Sequence, residues 1–134
     1  MALAIEVEGP YEVHDFTVAT GTTISGMTLC VLTDPRTAAA SGAGTLANPF
    51  AGIMATEFKG GRGKVKAGLY TKGTFLLTAA AGATIAAGAL VSLSGVNLIY
   101  QSVAADLLSG AVVGKAKETI AGSSTGEVVV GELI

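Results

Sequence analysis

With a single cysteine, this 134-residue chain can form no disulfide within itself and holds no Cys-x-x-Cys metal site. Cys30 lies in the apolar run TLCVL and reads as a small core residue, while the only histidine, His14, stands beside Asp15 near an acidic N-terminus. No signature joins the two as nucleophile and base, so the chain is expected not to be an enzyme and to use no cofactor or metal. Tryptophan is absent and aromatic residues make up only 5%, which leaves modest material for a core. Burial in an oligomer or on a larger surface would therefore add stability. The first residues, MALAIEVEGPYEV, have no basic region and no sustained apolar segment, and do not read as a secretory signal.

Charge is scarce, at 13% of residues, and it is segregated. From Met1 to Glu57 there are six acids (Glu6, Glu8, Glu12, Asp15, Asp34 and Glu57) against Arg36 alone. Phe58 to Lys72 then holds Lys59, Arg62, Lys64, Lys66 and Lys72 with no acid. An acidic leader followed by a basic patch points to complementary contacts between copies or with a charged surface; a solvated hairpin carrying lysines on its outer face accounts for the same pattern. The stretch GGRGK fails as a phosphate loop, because Phe58 stands where the first glycine belongs and Val65 where Ser or Thr belongs. As a nucleic-acid surface it has only Phe58 and Tyr70 for stacking, so no nucleic-acid partner is expected. Glu6, Glu8 and Glu12 do not follow a calcium-loop pattern and are expected as a solvated row on one face of a strand.

Between Lys72 and Asp106 there is no charge at all, and the centre of this run, TFLLTAAAGATIAAGALVSLSGVNLIY, is long enough to cross a bilayer as a helix. An internal repeat argues against that. TGTTISGMTLCVL (Thr20 to Leu32) matches AGATIAAGALVSL (Ala81 to Leu93), and PFAGIMATEFKGGRGKVKAGL parallels AVVGKAKETIAGSSTGEVVVGEL, with Gly52 on Gly114, Val65 on Val128 and Gly68 on Gly131. The first copy is flanked by Asp15 and Asp34 and is rich in threonine, so neither copy is expected to be a membrane helix. Glycines that would cost roughly 1 kcal/mol each inside a helix serve turns and bulges instead.

The pattern predicts a mainly β fold, a small barrel or sandwich-like domain of two related halves with one short helix. Leu3, Ile5 and Val7 alternate with Ala4, Glu6 and Glu8, the period of a half-buried strand. Phe75 to Thr78 and Ala89 to Ser92 read as strands joined by a turn around Thr84 to Gly88. GGRG (Gly60 to Gly63) and GSSTG (Gly122 to Gly126) are expected as matching hairpin turns. Val128 to Val130 suit an inner strand. Ser102 is expected to cap a helix over VAADLL that Gly110 ends, and DPRTAAASGAGTLANP is expected to be an ordered surface loop. The expected organisation is an N-terminal arm over 1–15 and a β-rich domain over 16–134, with repeats 16–70 and 75–134.

From Gly26 to Leu77 the order of features resembles the head-decoration (capsid cement) proteins of the phage lambda type: a strand, a loop, a Gly-Ile strand, a turn, and a strand ending in Tyr70, Gly73 and Phe75. GATIAAGALVSL followed by GAVVGKAKETIAGSSTGEVVVGEL is similar to a broader group of small capsid-stabilising proteins. The resemblance implies a structural virion protein, commonly trimeric, made in the host cytoplasm and bound to the outer surface of an expanded icosahedral head, with the major capsid protein and its own copies as partners and no membrane. The N-terminal arm (Leu3, Ile5, Val7) and the basic patch (Lys59, Arg62, Lys64, Lys66) are the expected contact residues. Two alternatives stay open: a biotinyl- or lipoyl-like carrier domain with Lys115 as its modified lysine, and another phage structural protein of a tail or adaptor.

Overall fold

In the computed structural model of the protein, residues 3–18, 23–33, 37–41, 49–59 and 66–131 are described. Nine strands and one short helix follow in the order β1 (Ile5–Val18), β2 (Leu29–Thr33), β3 (Thr37–Ala40), β4 (Phe50–Met54), β5 (Lys66–Ala79), β6 (Leu90–Leu93), β7 (Leu98–Gln101), α1 (Ala104–Ser109), β8 (Val112–Ala116) and β9 (Thr125–Val130). The uncharged run is thus the end of β5 with β6 and β7, and no described helix is long and apolar enough to cross a membrane.

The strands form one mixed sheet in the order β1-β3-β2-β4-β5-β7-β6-β8-β9, and two further pairings, β1 with β5 and β5 with β9, close it twice. The result is two five-stranded rings that share β5: β1-β3-β2-β4-β5 and β5-β7-β6-β8-β9. Closure pairs the strands around each ring and leaves the N-terminal half of β1 with one edge unpaired by any described strand. The 14 residues of β5 make this possible by changing neighbours along their length. Leu69 and Tyr70 pair with Met54 and Ile53 of β4, Gly73 to Thr78 pair with β9, and Thr78 and Ala79 meet β7 in parallel.

The rings are copies in register as well as in order. Thr17 and Val18 of β1 run parallel to Thr37 and Ala38; sixty-one positions on, Thr78 and Ala79 run parallel to Leu98 and Ile99. The bridge Ile24 to Phe58 recurs as Ile85 to Ile120. Each ring has the same bulge, between Cys30 and Val31 opposite β4 and between Val91 and Ser92 opposite β8, which supplies the local bend a narrow ring requires. Gly52 and Gly114 sit at those bulges, and a side chain at either would run into the carbonyl of the neighbouring strand, Tyr70 or Val129. The matching of Gly52 with Gly114 therefore holds. That of Gly68 with Gly131 does not: by register Leu69 corresponds to Val128 and Gly68 to Glu127. The cause is the length of the connection, seven residues between Phe58 and Lys66 but four between Ile120 and Thr125.

Each ring encloses its own core. Val18, Ile24, Cys30, Ala38, Met54, Phe58 and Leu69 fill the first, and the same positions in the second are Ala79, Ile85, Val91, Ile99, Ala116, Ile120 and Val128, all buried. Size is exchanged within each set: Val18 becomes Ala79 while Ala38 becomes Ile99, a swap that keeps the volume filled. Val128 and Val130 point inward from β9, which is paired on both sides, by β5 and β8.

Several expectations are corrected. The surface loop between Asp34 and Pro49 contains β3, whose TAAA sequence carries little strand preference of its own and is held by β1 and β2; 34–36 and 42–48 lie outside the described residues. Leu3, Ile5 and Val7 are not half-buried: they are 37, 55 and 41% exposed, and Ala4 is the buried member, donating its N–H to the Met27 carbonyl at 3.0 Å. The segment expected as an arm is extended but lies along its own chain, Ile5 opposite Leu76 and Glu6 opposite Phe75, where β1 reaches beyond its contact with β3. Finally, Ser102 does not cap α1. Its hydroxyl meets that of Ser92 at 2.5 Å, and the buried Asp106 carboxylate takes the Val103 N–H at 2.9 Å; Gly110 ends the helix in the left-handed region (φ 78°) as expected.

The rings are joined by Asn97, which is buried and adopts φ 57°, a conformation asparagine tolerates better than most residues. Its Oδ1 accepts the Leu29 N–H at 2.8 Å and its own N–H donates to Ser41 Oγ at 2.9 Å, while the Phe50 N–H donates to the Gly110 carbonyl at 2.8 Å. Asn97→Ala strands the Leu29 N–H and puts alanine at a positive φ, so it is expected to cost about 2–4 kcal/mol of unfolding free energy, measured by urea denaturation.

Candidate functional surfaces

The residues expected to make contacts fall on two separate surfaces. Lys59 and Lys66 line one cleft beside Phe58, with Thr56, Glu57 and Gly68, and Lys59 is paired to Glu57 at 3.7 Å. Arg62 and Lys64, like the GGRG turn, lie outside the described residues. The second surface is the N-terminal half of β1, where Leu3, Ile5 and Val7 are exposed apolar side chains; Val13, beyond the register shifts, is also 52% exposed. One edge of this half-strand is paired to β5; among the described residues no strand pairs with its other edge before Thr17.

The acidic row on β1 is matched within the chain. Glu12 receives Lys72 at 3.4 Å and His14 at 3.2 Å, and these two partners hold its carboxyl below its ordinary range, the His14 hydrogen bond contributing most. Glu8 receives Lys117 at 3.1 Å, and Lys117 also reaches Glu127 at 3.9 Å. These pairs are exposed and screened by solvent, so they bear on how the half-strand lies more than on how stable the protein is. The row is not on one even face, because the register shifts between Glu6 and Glu8 and again between Glu8 and Glu12, around the cis Gly9–Pro10 bond.

Beneath this half-strand, Tyr11, Tyr70 and Phe75 form an aromatic trio with ring centroids 5.3–5.4 Å apart. Gly73 lies under it at φ 136°, where a Cβ would collide with the Tyr11 ring. The Tyr-x-x-Gly-x-Phe element on β5 is therefore the seat on which β1 is anchored. Tyr70 donates to Glu6, which with burial raises the Tyr70 hydroxyl pKa; burial and then the Glu6 and Glu8 charges raise that of Tyr11.

Cys30 is enclosed in the first ring, its Sγ 3.5 Å from the Thr28 carbonyl, and burial pushes its thiol up to about 12. It does not meet His14, whose ring is half-exposed on Glu12. Lys115 lies inside β8, opposite Leu90 and Val129, rather than at a hairpin tip where a carrier lysine is presented. Among the described residues, no three of His, Cys, Asp and Glu gather in a metal-binding group.

No known protein-family model matches the chain, and no curated relative does.

Tyr100 gives the fold a measurable pH limit. Its hydroxyl donates to Asp106 Oδ2 at 2.7 Å, and burial, then the Asp106 bond and charge, push it from 10 to about 12. The folded state holds this proton more tightly than the unfolded chain, so the stabilisation is complete below pH 10 and lost as pH rises through about 12. Thermal melts are expected to fall across that window, and Tyr100→Phe to flatten part of the slope, the remainder belonging to Tyr11 and Tyr70.

Proposed function

We propose that this protein is a capsid cement protein: a structural virion component that binds the outer surface of an icosahedral phage head as an oligomer, a trimer, and stabilises the expanded shell. The observation that carries the reading is the exposed apolar stripe of Leu3, Ile5 and Val7 on a half-strand whose outer edge has no strand partner among the described residues. Such an edge suits strand addition to a second protein, with main-chain hydrogen bonds giving affinity and alternate side chains giving fit. The two closed rings support it, since the other described strands are paired within them. Lys59 and Lys66, set in one cleft, would add electrostatic attraction to an acidic capsid surface. The mechanism is mechanical: many copies bury surface across capsomer boundaries and raise the free energy needed to part them.

In Ile5→Asp/Val7→Asp both replaced side chains are exposed, so unfolding free energy is expected to change by less than about 1 kcal/mol. Co-sedimentation with expanded heads is expected to show affinity reduced at least about tenfold. Lys59→Glu/Lys66→Glu is expected to weaken the same binding and reduce its dependence on salt. Undiminished binding of the β1 variant would reassign that stripe.

A further inference from the structure

On the side of the second ring the sheet runs β8, β9, β5 and then the N-terminal half of β1, whose far edge meets no described strand. Two rows of cross-strand neighbours reach that edge. Glu127, Leu76 and Ile5 form one; Lys115, Val129, Thr74 and Glu8 form the other. Glu6 stands opposite Phe75, on the other face, and the register shift between Glu6 and Glu8 returns Glu8 to the face of Ile5. A strand added here therefore sets one residue beside Ile5, 55% exposed, and others beside Glu6 and the exposed side chain of Glu8.

The edge carries an excess of acid. Glu8 and Glu127 share Lys117, at 3.1 and 3.9 Å, while Glu6 receives the Tyr70 hydroxyl and forms no ion pair among the described residues. In a sheet, opposite charges directly across from one another stabilise the pairing and like charges destabilise it. We infer that the edge Ile5–Glu8 receives an extended segment of another protein that places basic residues beside Glu6 and Glu8 and an apolar residue beside Ile5. A second copy of β1 fits poorly, because the register that lays Ile5 on Val7 of the other copy lays Glu6 on Glu6. The slot is short, since Pro10 has no N–H to offer an added strand, so charge at these few positions decides which segment is accepted. Within the chain, β3 already uses the same side of β1 at Thr17 and Val18. The occupant so described rests on the strand addition proposed above and adds the charge of the strand that is added.

The test uses the full chain and three labelled short peptides: alternating valine and lysine, alternating valine and glutamate, and the valine–lysine peptide interrupted by proline. Fluorescence anisotropy gives affinity, and amide NMR shifts give location. The valine–lysine peptide is expected to bind at Ile5–Glu8, and the other two at least about tenfold more weakly, one for its charge and one for its lost main-chain donors. Glu6→Lys/Glu8→Lys, both at exposed positions and checked by circular dichroism, is expected to reverse the preference towards the valine–glutamate peptide; Glu8→Gln, a milder change, is expected to narrow it. Equal binding of the proline-interrupted peptide, indifference to peptide charge, no binding at all, or shifts away from Ile5–Glu8 overturns the inference. So does a wild-type dimer in sedimentation that Glu6→Lys/Glu8→Lys strengthens or leaves unchanged while shifts map it to this edge. Co-sedimentation with expanded heads separates the two readings. Heads bound without any peptide preference remove the basic occupant and leave the capsid reading, whereas a valine–lysine preference without head binding keeps the occupant and removes the capsid.

Discussion

The architecture depends on one strand being hydrogen-bonded in two rings at once. β5 closes the first ring with the half that pairs to β4 and β1, and opens the second with the half that pairs to β9 and β7. Neither ring can be removed without taking a wall from the other, because Leu69 fills the first core and Phe75 and Leu77 the second, all on the same strand. The trio of Tyr11, Tyr70 and Phe75 stands where the strand passes from one ring to the other, and Gly73 leaves the room it needs. A division of the chain at residues 70–75 is thus a division of sequence and not of structure.

The sequence made the class of fold, the repeat and the end of the helix legible, because these rest on local signals: alternation, glycine spacing, and a glycine after an apolar run. It hid what depends on partners distant in the chain. β3 is four small residues whose strand conformation is imposed by β1 and β2, although its counterpart β7, LIYQ, has the composition of a strand. Alignment through the last strand slipped because glycines were matched where connection lengths differ, and because paired core positions differ in size, Met54 against Ala116 and Phe58 against Ile120. Parallel pairings such as β1 with β3 leave no hairpin signal to read.

The candidate surfaces were legible in kind but not in placement. Alternation located Leu3, Ile5 and Val7 on one stripe, yet alternation cannot say whether another layer covers it; here β1 reaches past its ring and the stripe stays in solvent. The segregation of charge proved partly internal, since Glu8 and Glu12 hold Lys117 and Lys72 of the same chain. Asn97, which joins the rings, carried no motif at all.

The connection that precedes the last strand of each ring has two lengths, seven residues after Phe58 and four after Ile120, on rings whose registers are otherwise the same. Loop entropy rises slowly with length, about 0.6 kcal/mol for each doubling. The two rings therefore show one register served by connections of two lengths. If many copies stud a shell, the shorter turn is a natural port for grafting a foreign peptide, since the fold has already shown that three extra residues at that point leave every neighbouring strand in register.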